Sequence, residues 1–210
     1  MENSLDMTQP VALARPRGAH RLEVFSPKLN RRLTFYRRSA LEQWILLEAD
    51  PMVGAFCERP GFIQYGGQRY LAEFWVRYVD REELVILGDS IVDMDASPAV
   101  HLAQAELTVR SVLPAELAAS RMWIDNWQRM LPYIVANRGL VSDTLSHAIE
   151  RFLRDPQRLL AIEREFSIGD PILVRAAVFG LLYSGRVRAQ SLRTDALSLL
   201  TEFVAAEPTP

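Results

Sequence analysis

The stretch that decides the fold is residues 62–79, which read FIQYGGQRYLAEFWVRYV. Paired glycines at Gly66-Gly67 interrupt two runs rich in aromatic and β-branched residues. Glycine adopts the positive φ angles of a tight hairpin turn without steric cost. The pattern predicts antiparallel strands over Phe62–Tyr65 and Arg69–Val79.

Further elements are predicted on both sides of this hairpin. Strand-like runs stand at Val53–Cys57 and Leu84–Leu87. Before them, Ser39 followed three residues later by Glu42 forms a capping box that predicts a helix start, and Asp50-Pro51 predicts its end.

The chain after the strands is predicted to become helical. Ser97-Pro98 predicts a helix through Val109, and a longer helical stretch extends from Pro114 toward Ile134. The order of helix, antiparallel strands and helix predicts an α/β fold with a mixed sheet flanked by helices.

The part after residue 140 is predicted to be a separate helical domain, for which a winged helix is one candidate. Asp170 is expected to cap a helix that ends at Gly185. The predicted divisions are a flexible arm over residues 1–20, an α/β domain over 21–136 and a helical domain over 140–205. The remaining predicted elements are helices over Ser142–Arg154, Gln157–Phe166 and Leu192–Val204, with a short strand over Arg186–Ala189.

Composition excludes several classes of protein. The 210 residues are 49% hydrophobic and 24% charged, which is ordinary globular composition. One cysteine, Cys57, excludes a disulfide framework and a multi-cysteine zinc site. The chain shows no secretory signal and no apolar run long enough for a membrane span, so a cytoplasmic protein is expected.

Basic residues are unusual in kind and uneven in position. Lys28 is the only lysine among 24 basic residues, so the other 23 are arginines. Residues 1–38 carry eight basic and three acidic side chains, residues 39–150 eight and sixteen, and residues 151–193 eight and four. An acidic centre therefore lies between two basic flanks.

Four short motifs follow one another in a specific order. They are Ser39-Ala40-Leu41-Glu42, then Ala49-Asp50-Pro51-Met52-Val53, then Pro60 before the hairpin, and finally Arg69–Val76 before Leu84–Leu87. In this order and spacing the chain resembles the TnsA-like transposon endonucleases over about residues 35–90. The resemblance implies a restriction-endonuclease-type fold that acts at transposon ends, with DNA, a transposase and an ATPase regulator as partners.

The resemblance also implies a metal-dependent site. Glu42 matches the family's helix glutamate, and Glu73 stands where the family has aspartate. These two residues are the candidate catalytic residues and, with Asp89 as a replacement ligand, the candidate Mg²⁺ ligands. Carboxylates that hold Mg²⁺ let the ion polarise a phosphate and activate a water.

Two positions depart from the family pattern. Ile86 stands where the family has glutamate or glutamine, and Gly88 stands where it has lysine. Neither side chain offers a ligand or a charge, so the resemblance predicts a catalytically impaired subunit that binds DNA and partners. From the residues alone, Glu42 as a helix-capping residue and Glu73 as a solvated strand residue remain open.

The arginines of the C-terminal half have two interpretations. Arg175, Arg186 and Arg188 are candidate contacts to DNA phosphates, or they form a solvated face. A regulatory or protein-interaction α/β module without DNA cleavage is therefore the alternative function.

Overall fold

The computed structural model describes residues 5–65, 68–88, 100–101, 107–168 and 170–207. The predicted Gly66-Gly67 turn, the Ser97-Pro98 helix start and Asp89 lie outside these residues. The strands are β1 (Leu22–Ser26), β2 (Arg31–Phe35), β3 (Ala55–Tyr65), β4 (Gln68–Arg77), β5 (Glu82–Leu87), β6 (Val100–His101), β7 (Leu107–Val112), β8 (Gln157–Arg158), β9 (Val187–Arg188) and β10 (Glu202–Ala205). The helices are α1 (Arg38–Ala49), α2 (Pro114–Ala119), α3 (Arg121–Ala136), α4 (Asp143–Phe152), α5 (Leu159–Phe166) and α6 (Ile172–Tyr183).

The described residues form two compact units. The first comprises Met1–Glu48 and Met52–Ala119, and the second comprises Ala49–Pro51 and Ser120–Pro210. The sequence predicts the boundary between residues 136 and 140. It falls before α3 instead, because α3 packs against α6 within the second unit.

A mixed five-stranded sheet organises the first unit, in the order β3-β4-β5-β7-β6. Strands β3, β4 and β5 pair antiparallel, β5 pairs parallel with β7, and β6 returns antiparallel to β7. The predicted α/β class with a mixed sheet and flanking helices is confirmed. The run predicted at Phe62–Tyr65 and all but the first two residues of the run predicted at Val53–Cys57 belong to a single strand, β3.

Strand β3 continues through an irregularity that the sequence did not predict. The register with β4 shifts between Glu58 and Gly61, so β3 carries one extra residue there. Arg59, inside this bulge, has a φ of 49°, which is uncommon for a residue other than glycine. Because of the bulge, a single strand spans a segment in which the sequence predicts two strands.

Both faces of the sheet are buried. On one side Phe74 packs against Phe35 and Phe56, with ring centroids 6.1 and 6.2 Å apart. A second apolar cluster includes Cys57, Trp75, Leu84, Ile86, Leu107 and Val109. Burial on both faces explains why the strands are nearly continuous apolar runs.

The helix predicted from Ser97-Pro98 through Val109 is wrong where the structure describes it. Val100–His101 and Leu107–Val112 are strands, and Leu107, Thr108 and Val109 lie opposite Glu82, Glu83 and Leu84 in the parallel β5–β7 ladder. The apolar residues of this stretch gain their burial from the sheet. Their helical spacing therefore did not decide their structure.

The N-terminal arm is anchored along the edge strand β3. It has no regular secondary structure, but Asp6 N–H donates to the Pro60 carbonyl and Val11 N–H to the Arg59 carbonyl, each at 2.8 Å. Leu5 forms an isolated antiparallel bridge with Gly61. The arm thereby satisfies backbone groups that the bulged edge would otherwise expose.

The second unit is mainly helical, as predicted. Ser142 caps α4 by accepting a hydrogen bond from Leu145 N–H at 3.2 Å. The Asp170 carboxylate accepts from Ile172 N–H at 3.0 Å at the start of α6, and the chain turns after α6 at Gly185, whose φ is 75°. The predicted stop at Gly185 is confirmed. Pro171 is the N-cap of α6, and Asp170, one residue before it, accepts the N–H of the first helical residue.

The helix predicted over Leu192–Val204 is wrong. A short 3₁₀ turn spans Gln190–Arg193, and Glu202–Ala205 is strand β10, which lies between β8 and β9 in a three-stranded sheet. The strand exists because partners distant in sequence pair with it, which a local periodic pattern does not report.

No helix among the described ranges is both long and apolar enough to cross a lipid bilayer.

Candidate functional site

Glu42 and Glu73 lie where the sequence predicted, on α1 and on β4. Phe74 pairs with Val85 in the antiparallel β4–β5 ladder. Glu73 and Ile86 lie just beyond this last pair of the ladder, one on each strand. Their side chains have different surroundings, because Ile86 belongs to the apolar cluster with Cys57 and Trp75, whereas Glu73 pairs with Arg37.

Both candidate carboxylates are engaged by arginines. Glu73 is 5% exposed and forms an ion pair with Arg37. Glu42 is 8% exposed and accepts a hydrogen bond from Arg38 Nε at 2.8 Å. Two adjacent arginines at the start of α1 therefore neutralise the two glutamates.

The start of α1 differs from the predicted capping box. Leu41 N–H donates to the Arg37 carbonyl at 3.3 Å, and the helix begins at Arg38, so Ser39 lies inside it and is not the N-cap. Glu42 stands four residues after Arg38, and this i,i+4 spacing brings their side chains together. Glu42 is placed to form either a capping box with Ser39 or an ion pair with Arg38, and the structure forms the ion pair.

The side chains described by the structure do not fit a Mg²⁺ site. Among them, no group of three or more His, Cys, Asp or Glu residues is placed to hold a metal ion. Ile86 is fully buried. A Cβ atom on Gly88 would lie 3.1 Å from Leu113 Cδ2 and 3.2 Å from the Val112 carbonyl oxygen, so a lysine there would require a local shift.

Lys28 lies toward the other end of α1 from the candidate site. Its Nζ donates to the Val53 carbonyl at 2.9 Å, and its N–H donates to Glu48 Oε1 at 2.9 Å. Glu48 is fully buried and also accepts from Ser26 Oγ at 2.6 Å. Glu42 and Glu48 are six residues apart, which is about 9 Å along a helix. Lys28 therefore helps to fix the β1–β2 turn.

A further buried carboxylate lies on β3. Glu58 is 2% exposed and receives two hydrogen bonds from Arg31, at 2.7 and 2.5 Å. This bidentate arginine–carboxylate pair has two parallel hydrogen bonds, which make it stronger than a pair with a single hydrogen bond. Glu58 is not among the predicted site residues, and it lies at the register shift of β3.

Two of the three candidate DNA-binding arginines are held by glutamates. Arg175 Nε donates to Glu163 Oε1 at 2.6 Å, and Arg186 Nε donates to Glu150 Oε1 at 3.0 Å. These contacts raise the pKa of both arginines. Arg188 is exposed on β9. Of the three, Arg188 presents the most accessible guanidinium.

Cys57, three tryptophans and His147 lie in the core or on the surface. Cys57 is buried, and burial together with the neighbouring Glu58 raises its pKa to about 11, so the thiolate is disfavoured. Trp44, Trp75 and Trp127 are buried core residues, as expected. His147 is exposed on α4.

Comparison with known sequences adds no relative. No protein-family model matches the chain, and no curated protein matches it significantly.

The sequence reasoning missed Arg37, Arg38 and Arg59 as parts of the site. The contact of Arg38 with Glu42 could have been predicted, because their i,i+4 spacing is typical of a helical ion pair. The pairing of Arg37 with Glu73 spans 36 residues of chain and depends on how β4 lies against the start of α1.

Proposed function

We propose that this chain is a TnsA-like component of a DNA transposition system that binds DNA and partner proteins without cutting DNA itself. The proposal combines the order of motifs over residues 35–90 with a mixed sheet flanked by helices, which is compatible with a restriction-endonuclease-like fold. The positions of Glu42 on α1 and of Glu73 on a strand of the mixed sheet support the alignment of the motifs. The helical unit with its three-stranded sheet is compatible with a winged-helix-like partner domain.

The observation that carries the loss of cleavage is the pair of ion pairs Arg37–Glu73 and Arg38–Glu42. A carboxylate already neutralised by a guanidinium must give up that partner before it can ligate a metal ion. Ile86 and Gly88 supply neither a further side-chain ligand nor a cation. Loss of one preorganised charge-stabilising group alone typically costs about 10²–10³ in rate.

A nicking assay on supercoiled plasmid tests the proposal. The full chain is incubated with Mg²⁺ or Mn²⁺, alone and with the transposase and ATPase encoded beside its gene. We expect no nicking by the chain alone, and binding to linear duplex DNA that weakens steeply with salt. Robust cleavage abolished by Glu42→Ala or Glu73→Ala would show that the site is active and the proposal wrong.

One observation favours a second candidate, a protein-interaction module that does not contact DNA. Arg175 and Arg186 form ion pairs within the chain, which lowers the positive charge available to phosphates. Retention of the neighbouring transposase on the immobilised chain, with no binding to duplex DNA at low salt, would select this candidate.

A further inference from the structure

A cavity of about 200 Å³ in the first unit combines apolar walls with buried charge. Leu13, Phe35 and Leu71 supply apolar wall, while Arg37, Arg59 and Glu73 supply the charged groups. This volume is below the range of about 300–1,000 Å³ of pockets that hold drug-sized ligands. Any ligand that it holds is therefore small.

Arg59 carries a buried charge that its neighbours compensate only in part. Its side chain is 16% exposed, and its nearest carboxylate oxygen among the described residues is that of Glu58 at 4.0 Å. Both oxygens of Glu58 already accept hydrogen bonds from Arg31. Arg59 otherwise donates to two backbone carbonyls, those of Thr34 at 2.9 Å and Val11 at 3.3 Å.

The Arg59 guanidinium thus depends on backbone carbonyls for its hydrogen bonds and has its closest carboxylate oxygen among the described residues at 4.0 Å. A positive charge shielded from water is unfavourable without an anion close to it.

The backbone at Arg59 directs this charge toward the cavity at an energetic cost. Its φ of 49° lies in the left-handed region, where a residue other than glycine is strained. The bulge of β3 and the hydrogen bond from Val11 N–H to the Arg59 carbonyl hold this conformation. A strained arginine beside a cavity is a typical feature of a binding site.

We propose that this cavity binds a small organic monoanion, with a carboxylate between Arg37 and Arg59 and a short carbon chain against Leu13, Phe35 and Leu71. Guanidinium groups bind planar carboxylates with paired hydrogen bonds. The apolar walls favour an aliphatic ligand over a bare inorganic anion. The inference depends on these side chains and is independent of any role in transposition.

Thermal unfolding of the full chain in the presence of butyrate tests the site. Sodium chloride at equal ionic strength and inorganic phosphate are run in parallel. A ligand that binds the folded state raises the unfolding midpoint as its concentration exceeds its Kd. We expect a saturable increase with butyrate that exceeds the increases with sodium chloride and phosphate.

Variants locate the effect in the cavity. The double variant Arg37→Gln/Glu73→Gln removes one charge of each sign, and we expect it to weaken butyrate binding at least tenfold. The matched control is Arg21→Gln/Glu23→Gln, which neutralises an exposed ion pair that is not part of the cavity lining and should leave binding unchanged. Ala40→Leu, which adds apolar volume to the lining, should abolish binding and provides a second variant if the first does not fold.

Three results would overturn the proposal. One is a butyrate effect no larger than that of sodium chloride. Another is stabilisation by phosphate but not by butyrate, which would indicate an inorganic anion site. The third is undiminished butyrate binding in folded Ala40→Leu protein.

Discussion

At the scale of single residues, Arg37 and Arg38 illustrate how burial separates two similar ion pairs. The side chain of Arg38 is 65% exposed, while that of Arg37 is 35% exposed and meets a glutamate in the sheet. The Arg38–Glu42 pair joins an exposed arginine to a buried glutamate at i,i+4 spacing, and such helical pairs contribute about 0.3–0.5 kcal/mol. Removing one partner of a largely buried pair costs more, because the remaining charge loses its counter-ion.

Arg37→Gln is therefore expected to lower the free energy of unfolding by about 1–3 kcal/mol, after allowance for the partial exposure of Arg37. Arg38→Gln is the matched control and should cost about 0.5 kcal/mol or less. Urea unfolding followed by circular dichroism measures both variants. Equal losses in the two variants would contradict this account of the site.

Asn126 provides a second test, in the helical unit. It is fully buried on α3; its Nδ2 donates to the Leu192 and Asp195 carbonyls, and its Oδ1 accepts from Leu197 N–H, all at 2.8 Å. Asn126→Ala would leave these backbone groups without their side-chain partner.

We expect Asn126→Ala to lower stability by about 2–4 kcal/mol, since each buried unsatisfied polar group costs about 1–3 kcal/mol. Asn137 is the control, because its Nδ2 bonds only locally to the Tyr133 carbonyl. Asn137→Ala should cost less than about 1 kcal/mol in the same urea titration. A small effect at Asn126 would show that the 190–197 segment holds its conformation without this side chain.

Cys57 gives a pH-dependent test. Its pKa in the folded chain, about 11, is above the ordinary value of 9.0. The unfolded thiol ionises first as pH rises, so the stability of the wild type should fall between about pH 9 and 11 relative to Cys57→Ala. Urea midpoints of both proteins across this range measure the difference. A difference that does not change with pH would contradict the assigned pKa.

At the scale of elements, the two glycines of α6 and its C-terminal turn should respond in opposite directions. A Cβ atom on Gly180, inside α6, would meet nothing within 4 Å. One on Gly185 would lie 3.0 Å from Pro51 Cβ, at a φ of 75° that disfavours other residues.

Gly180→Ala is expected to stabilise the protein by about 0.5–1 kcal/mol, because alanine loses less backbone entropy in a helix. Gly185→Ala, the matched control, should destabilise it by about 1 kcal/mol or more. Thermal unfolding midpoints report both signs. Destabilisation by Gly180→Ala would mean that the open space beside this glycine is needed.

The sequence predicted elements well where local signals and tertiary packing agree. The β3–β4 hairpin, the cap of α4 and the stop of α6 each carry their own turn or capping residues. Leu107–Val109 and Glu202–Val204 are predicted as helix because their apolar spacing suits either structure. Their strand partners β5, β8 and β9 lie elsewhere in the sequence, and pairing with them determines the outcome.

The candidate site was predictable only in part. The positions of Glu42 and Glu73 follow from element types and order. Their arginine partners do not, since contact between Arg37 and Glu73 requires the packing of α1 against β4. The sequence does not distinguish a glutamate that will ligate a metal ion from one that will pair with an arginine.

At the scale of the whole molecule, the net charge is −2, so DNA affinity requires a local cluster of basic side chains. We expect Arg188→Ala to weaken duplex binding about equally for all sequences and to reduce its salt dependence. Arg186→Ala also breaks the pair with Glu150, so Glu150→Gln serves as its control. Filter binding at several salt concentrations measures the effect. Unchanged binding in both arginine variants would exclude this surface of the helical unit as the DNA contact.

Cleavage after Lys28 can report when the turn between β1 and β2 opens. A protease that cuts only after lysine has a single target here, in the turn between β1 and β2. In the folded chain this side chain is tied to Val53, and its N–H to Glu48. The peptide after Lys28 becomes accessible when this turn opens. Appearance of two fragments, residues 1–28 and 29–210, would therefore time the release of the β1–β2 turn in an unmutated and unlabelled protein.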